Sequence, residues 1–314
     1  MRRLSTAIVV GGAGFYGGWL AAELLAEGVT VTVVDTSARA AAEELPSVQV
    51  VTGDAVELDL RALIDELRAD AVFQLAGTGL VPTSLEHPLD DLTRNTATTV
   101  AVLEAARDAA VAPLVAYVSS AAVYGEGTRM PMDEDHPLAP LSPYGISKLA
   151  AESYVRLYAR LYGVKAFSVR PFSLYGPRQR KLVVYDLLRR LLDGEDPLVV
   201  HAPAEVSRDF VYVEDASRGL VALTRNAPAD GEAYNIASGR PTTLRELVET
   251  LIEAAGLDAS FEFRGELRPG DPLRWDGDAS RARALGARFD TPLAEGLRRT
   301  VEWLAEAKEP HVVG

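Results

Sequence analysis

Cysteine does not occur in the chain, which excludes disulfides, thiolate catalysis, cysteine-type zinc sites and iron–sulfur clusters. Long apolar runs are missing too: nothing approaches the roughly 18 uncharged apolar residues of a membrane-spanning helix. The short apolar segment after Met1-Arg2-Arg3 breaks at Gly11-Gly12, so no signal peptide is expected and a cytoplasmic location is the default. Histidine is scarce. The four present, His87, His136, His201 and His311, are scattered with no pair at metal-ligand spacing, so no metal site is expected. Positive charge is in short supply, with 32 Lys and Arg against 45 Asp and Glu and a net charge of −13. That balance argues against nonspecific binding to nucleic acid or to anionic membranes. Any anionic ligand must then find a local cationic pocket, which makes the placement of single arginines informative. Linkers, low-complexity segments and internal repeats are likewise absent. With 314 residues and 48% hydrophobic content, the chain suits one large domain or two interlocked ones.

What is present begins with alternating strands and helices. Residues 7–10 read as a buried strand, 15–27 as a helix and 30–34 as a second strand, together a βαβ unit. The turn between them is Gly11-Gly12-Ala13-Gly14-Phe15-Tyr16-Gly17, with glycines at its first, fourth and seventh positions. Such a turn lets backbone approach a pyrophosphate while the helix N-terminus supplies N–H donors and positive dipole. Gly11, Gly14, Phe15, Tyr16 and Gly17 are therefore candidate cofactor contacts. Asp35, at the end of the second strand, is placed to accept both hydroxyls of an adenosine ribose. Its charge would repel a 2′-phosphate, so the expected cofactor is NAD rather than NADP, with Arg39 the neighbour that argues the other way.

Further along, strand 48–51 ends in Gly53-Asp54, where Asp54 either reaches an adenine edge or holds a turn. A helix over 58–68 leads to strand 71–76, which ends in small residues including Ala76 and Gly77, at a carboxyl strand end where open parallel sheets bind ligands. Pro82 and Pro88 punctuate a loop, and a long helix over 89–110 carries Asn95, placed to hold a backbone group or a water. The alternation predicts an α/β protein: a Rossmann-type doubly wound parallel sheet with a smaller, interwoven carboxyl-terminal α/β domain. Residues 1–172 would form the NAD-binding domain, with 207–238 returning to it, and 173–314 mainly the substrate-binding part.

The next strand, 114–118, runs into Ser119-Ser120-Ala121-Ala122-Val123-Tyr124-Gly125, and after it comes Ser142-Pro143-Tyr144-Gly145-Ile146-Ser147-Lys148. Apolar residues at 149, 150, 154, 157, 158 and 161 predict an amphipathic helix, which puts Tyr144 and Lys148 on one face. A phenol with a pKa of about 10 is a poor base at neutral pH, and bringing it near 7 takes about 4 kcal/mol. A nearby cation is one way to supply that.

With these motifs the chain resembles the extended short-chain dehydrogenases, specifically their nucleotide-sugar epimerase and dehydratase group of the UDP-glucose 4-epimerase type. The glycine turn, the Ser-Ser-Ala-Ala-Val-Tyr-Gly and Ser-Pro-Tyr-Gly-Ile-Ser-Lys runs and Arg208-Asp209-Phe210-Val211-Tyr212-Val213 carry the likeness, over about residues 5 to 305. The resemblance implies that Ser120 and Tyr144 are catalytic, Tyr144 as acid/base, and that Lys148 holds the nicotinamide ribose and lowers the tyrosine pKa. It places Arg208 on a substrate diphosphate and Arg268 on the nucleotide. Relatives carry asparagine where this chain has Ser173, which puts a standard substrate contact in doubt, and the Gly-rich hairpin of relatives is missing at 201–207. For Arg208 an ion pair with Asp209 is the plain alternative.

The expected substrate is a nucleotide-diphospho-sugar and the expected partner a second copy of the chain, because helices 89–110 and the Tyr144 helix are apolar on more than one side. Relatives that perform 4,6-dehydration carry an Asp-Glu pair directly after the catalytic hydroxyl residue, and glucuronate decarboxylases a glutamate at the second position. Here Ala121 and Ala122 stand there, and neither moves a proton. The resemblance therefore favours NAD-dependent epimerisation at C4 through a transient 4-keto sugar. Ketoreduction, a 5,6-elimination or a catalytically silent nucleotide-binding protein are the alternatives.

Overall fold

A computed structural model describes residues 1–37, 47–267 and 270–308. Seven strands form one sheet in the order β10-β6-β5-β4-β1-β2-β3. They are β1 (Thr6–Val10), β2 (Thr30–Asp35), β3 (Gln49–Thr52), β4 (Ala71–Gln74), β5 (Leu114–Val118), β6 (Ala166–Pro171) and β10 (Asp230–Ile236). Every neighbouring pair runs parallel. A parallel sheet must be covered on both faces, which is why its strands read as near-continuous apolar runs.

The strand period of two sorts side chains between the two cores. Ala7 and Val9 of β1 face the side covered by helices Phe15–Ala26 and Val213–Asn226, where Leu20, Leu24, Leu220 and Val221 are buried. Ile8 and Val10 face helices Leu60–Leu67, Thr98–Asp108 and Pro143–Tyr162, through Ile64, Leu103 and Val155. The chain leaves β3 at one edge and re-enters beside β1 as β4, so the strand order reverses there. Loops diverge at such a reversal and leave a crevice at the carboxyl ends of the strands.

A smaller part is built on β7 (Ser173–Tyr175), β9 (Ser207–Tyr212) and β11 (Pro241–Thr243), in the order β11-β9-β7, and on β8 (Leu198–Val200) paired with β12 (Phe261–Phe263). Its core gathers Leu187, Leu191, Leu247, Leu251 and Leu297 from three helices. Of the segment 207–238, the helix and β10 join the large sheet, whereas β9 belongs to the small one, paired with Ser173–Tyr175. Just before 201–207, β8 pairs in parallel with β12.

Two local departures from the sequence reading matter for the site. Pro82 and Pro88 do not punctuate a loop. They sit in the first turns of short helices, Val81–Glu86 and Pro88–Leu92, where a missing N–H costs nothing. The single helix expected over 89–110 is broken by a π-helical turn at Thr93–Ala97, and Asn95 lies in that turn. One fully buried ion pair, Arg170 on β6 with Glu152 on the Tyr144 helix, clamps helix to sheet. Leaving either charge unpaired in such a place costs roughly 3–5 kcal/mol.

Candidate active site

The crevice starts at the glycine turn. Gly11 follows β1 with φ +86°, and a Cβ on it would stand 2.5 Å from the Ala76 nitrogen at the end of β4. A Cβ on Gly17 would run into the Gly11 carbonyl. Only glycine lets the turn close this tightly across the point where strand order reverses. The helix beginning at Phe15 has Gly14 as its N-cap, no side-chain cap and no acidic residue in its first turn. Its N–H groups and positive dipole end are thus left for an anion. Asp35 stands beside the turn, accepting from Ala13 N (3.0 Å) and Ser37 N (2.9 Å). Each carboxylate oxygen keeps a lone pair for a ribose hydroxyl.

Three candidate contacts are narrowed by the structure. The Tyr16 phenol is buried and donates to the Ala216 carbonyl (2.9 Å), docking one helix on another, so only its backbone remains for a ligand. Asp54 is exposed and accepts from Val56 N (2.9 Å), which is the turn alternative for this residue. Phe15 packs half-buried against the sheet core. Arg39 lies outside the described residues.

Gly77 backs directly onto the Asn95 side chain. Asn95, a candidate to hold a backbone group, a water or the cofactor, has its Nδ2 near Thr78 Oγ1 (3.0 Å), Asp91 Oδ1 (3.1 Å) and Ser147 Oγ (3.0 Å), while its buried Oδ1 has no partner among the described residues. Thr78 also donates to Asp91, and Ser147 donates to Asp91 Oδ2 at 2.6 Å. Asp91 is 1% exposed, a buried carboxylate satisfied by neutral donors. Sequence reasoning missed it and Ser147. The available signal was the spacing of Asp91 four residues before Asn95, which puts both on one helical face.

Against this network stand Ser120, Tyr144 and Lys148. Ser142 caps the Tyr144 helix by accepting from Gly145 N (3.2 Å), with Pro143 in the first turn. Ser120 caps a short 3₁₀ turn, Ala121–Val123, its Oγ accepting from Ala122 N (3.1 Å) and its O–H left to donate. Helix and turn meet at Gly145, where a Cβ would come 2.7 Å from the Ala122 carbonyl. The turn is fastened further on by Tyr124, whose phenol donates to Asn235 (2.6 Å) and accepts from Arg170 (2.9 Å).

Lys148 is 4% exposed. Its ammonium donates to the Val118 carbonyl (2.9 Å) and lies 5.9 Å from the Tyr144 ring centroid. Burial pulls its pKa down to about 8, with Asp91 working in the opposite direction. For Tyr144, burial raises the phenol above its ordinary value, the Ser120 hydroxyl lowers it and Asp91 raises it. The expected lowering by Lys148 is therefore not what the protein's own groups produce: desolvation of the phenolate prevails.

In the smaller part, Ser173 opens β7 opposite Phe210 of β9. Arg208, two residues before Phe210, is half-buried. Its Nη1 donates to the Ser207 carbonyl (2.8 Å), its guanidinium lies 5.3 Å from the Trp275 ring centroid, and burial lowers its pKa. Among the described residues it forms no ion pair. The alternative of a pair with Asp209 fails, because adjacent strand residues face opposite ways. Asp209 accepts from Ser238 N (2.8 Å), Ser238 Oγ (2.7 Å) and Gly239 N (2.8 Å) instead. Arg268 lies outside the described residues. Among the described residues no group of three or more acidic or histidine side chains is arranged to hold a metal ion, and no helix is long and apolar enough to cross a membrane.

Comparison with known proteins points the same way. The family model described as the NAD dependent epimerase/dehydratase family matches residues 7–237. The UDP-glucose 4-epimerase of Mycolicibacterium smegmatis is 35% identical over 308 residues, 94% of this chain and 97% of that protein. The structure of UDP-glucose 4-epimerase with UDP-glucose from Thermotoga maritima superposes with a TM-score of 0.89 at 30% identity, covering 96% of this chain and 99% of that one. UDP-glucuronic acid 4-epimerase from Bacillus cereus, in complex with UDP-glucuronic acid and NAD, has a TM-score of 0.88 at 27% identity, with coverage of 96% and 99%.

The buried ammonium makes a stability prediction. With the pKa of Lys148 down from 10.5 to about 8, folding disfavours its charged form. That penalty is full below pH 8, fades between 8 and 10.5 and is gone above. Lys148→Met should therefore be more stable at pH 7, by on the order of 3 kcal/mol less the value of the lost hydrogen bond. The gain should shrink toward pH 10. Urea unfolding at several pH values checks this, and a gain that is absent or grows with pH would contradict it.

Proposed function

Since the chain belongs to the NAD dependent epimerase/dehydratase family, we propose that it inverts C4 of a nucleotide-diphospho-sugar through a transient 4-keto intermediate. NAD is the cofactor, and the turn at Gly11–Gly17, the uncapped helix N-terminus and Asp35 are the groups that would hold it. When bound, it would supply a hydride acceptor and donor at its nicotinamide, whose oxidised form would add a positive charge to the site. Tyr144 takes the proton from the C4 hydroxyl and later returns it. Ser120, its oxygen accepting from Ala122 N and its hydroxyl in hydrogen-bond reach of the Tyr144 phenol, steadies the sugar oxygen as it becomes a ketone. Lys148, fixed on the Val118 carbonyl, keeps a cation on the same helical face.

Arg208 grips the diphosphate through parallel hydrogen bonds. The clamp is what epimerisation requires: the nucleotide stays while the keto sugar turns its other face to the hydride donor. The observation that carries this choice is the pair Ala121 and Ala122. They are 0% and 8% exposed and occupy the turn directly after Ser120, so no carboxyl group stands there to expel water or carbon dioxide. A uridine diphosphate sugar is the first substrate to try, because the relatives named above act on such sugars.

The apolar surface fits a homodimer. Ile146, Leu157 and Leu161 on the Tyr144 helix are 54%, 43% and 64% exposed, and Leu89 beside it 75%. Residues 146, 157 and 161 share one helical stripe, and a second copy of the same stripe is the partner that would cover it. A dimer by light scattering at micromolar concentration is the expected result, and a monomer would overturn it.

For the reaction, incubation with uridine, thymidine, guanosine and cytidine diphospho-sugars, followed by mass and NMR, should show a product of unchanged mass. Loss of water or of carbon dioxide would instead mark an elimination. Tyr144→Phe should lower kcat by at least about 100-fold while NAD stays bound. Substantial activity in that variant would remove Tyr144 from the assigned role.

A further inference from the structure

Arg208 carries a problem of its own. A guanidinium taken out of water without a carboxylate is costly, yet the carboxylate next to it, Asp209, faces away and is held by Ser238 and Gly239. What lies against it is aromatic, with the charges of Asp271 and Glu126 supporting the cation from a distance. The guanidinium lies over Trp275 at 5.3 Å from the ring centroid, within the range of a cation–π contact. Of the guanidinium's N–H donors, the Ser207 carbonyl takes one.

Trp275 is itself fixed from three sides. Its backbone N–H donates to the Ser207 carbonyl at 3.1 Å. Its indole Nε1–H donates to the Gly125 carbonyl at 3.0 Å, on the turn that carries Ser120. Its ring meets Phe172 edge-on, with centroids 6.2 Å apart and an interplanar angle of 75°. The indole therefore cannot swing away from the guanidinium without breaking a hydrogen bond and a ring contact.

We propose that Trp275 is a positioning residue for the substrate diphosphate: its ring holds the Arg208 guanidinium in place and charged, leaving N–H donors open to an anion. A carboxylate in the same place would neutralise the cation and compete with the diphosphate. The inference rests on the reading that Arg208 grips the diphosphate. It adds that this grip depends on an indole supplied from the far carboxyl-terminal segment and tied to the Ser120 turn.

UDP is titrated by calorimetry into the NAD-loaded protein and its Trp275→Leu, Trp275→Phe, Arg208→Leu and Trp275→Leu/Arg208→Leu variants. Trp275→Leu should weaken UDP about tenfold, the size of a desolvated cation–π contact. Trp275→Phe, which keeps an aromatic face, should recover most of the loss. In the Arg208→Leu background, Trp275→Leu should add less than about twofold, because coupled residues are not additive. With a UDP-sugar, Trp275→Leu should raise KM and leave kcat nearly unchanged. UDP should also change the tryptophan fluorescence, and that change should vanish in Trp275→Phe although Trp19 and Trp303 remain.

UDP affinity unchanged in Trp275→Leu, or a tenfold loss that persists undiminished when Arg208 is already absent, would overturn the proposal. So would a fluorescence change that survives in Trp275→Phe, which keeps the test decisive if the leucine variant does not fold. If Arg208→Leu alone leaves UDP binding intact, the diphosphate reading itself fails and this inference with it. Weakening by Arg208→Leu without weakening by Trp275→Leu leaves that reading standing and removes only the indole.

Discussion

A buried cation held by something other than a carboxylate governs this molecule. Lys148, on the Tyr144 helix, reaches the end of β5, its ammonium on the Val118 carbonyl and its charge supported at a distance by Asp91. To put it there, the Tyr144 helix must start at Ser142, meet the 3₁₀ turn at Gly145 and press its buried face on the sheet. The same placement fixes Tyr144 beside Ser120. Stability is given up for this: a charge is buried where an apolar side chain would pack at lower cost.

Comparison of the buried cations separates framework from site. Arg170 is paired with Glu152 and fully enclosed, and its role is to lock helix to strand. Lys148 and Arg208 form no ion pair among the described residues; they are met by a carbonyl, aromatic faces and distant charge. In a chain of net charge −13, carboxylates are plentiful, so leaving two cations without one is a specific arrangement. Each faces a place where the proposed reaction presents negative charge: the phenolate at one end of the sugar, the diphosphate at the other.

Much of this was legible in the chain because it rests on local rules. The glycine turn, the acid ending β2, the capped helix start and the spacing of Tyr144 and Lys148 are each short-range patterns whose geometry follows from a strand, a turn or a helix. What stayed hidden depends on contacts between distant segments. Asp91 and Ser147 matter only because a π-helical turn brings Asn95 between them, and no periodicity announces such a turn. Tyr16 looked like part of the cofactor loop until a helix two hundred residues later took its hydroxyl. Asp209 looked like a partner for Arg208 until strand alternation turned it to Ser238. Trp275 reaches Arg208 and Gly125 through a long excursion of the chain, and its neighbour in sequence, Arg274, is exposed.

In the proposed reaction, Tyr144 moves one proton while a single hydride leaves C4 and returns to it. The most direct measurement is the fate of deuterium in UDP-[4-²H]glucose incubated with the NAD-loaded protein, followed by NMR. Epimerisation as described predicts that deuterium remains at C4 in both the starting sugar and its inverted product, with mass unchanged. Deuterium exchanged into solvent or found at C6 would contradict it, as would its accumulation on the cofactor with no inverted sugar.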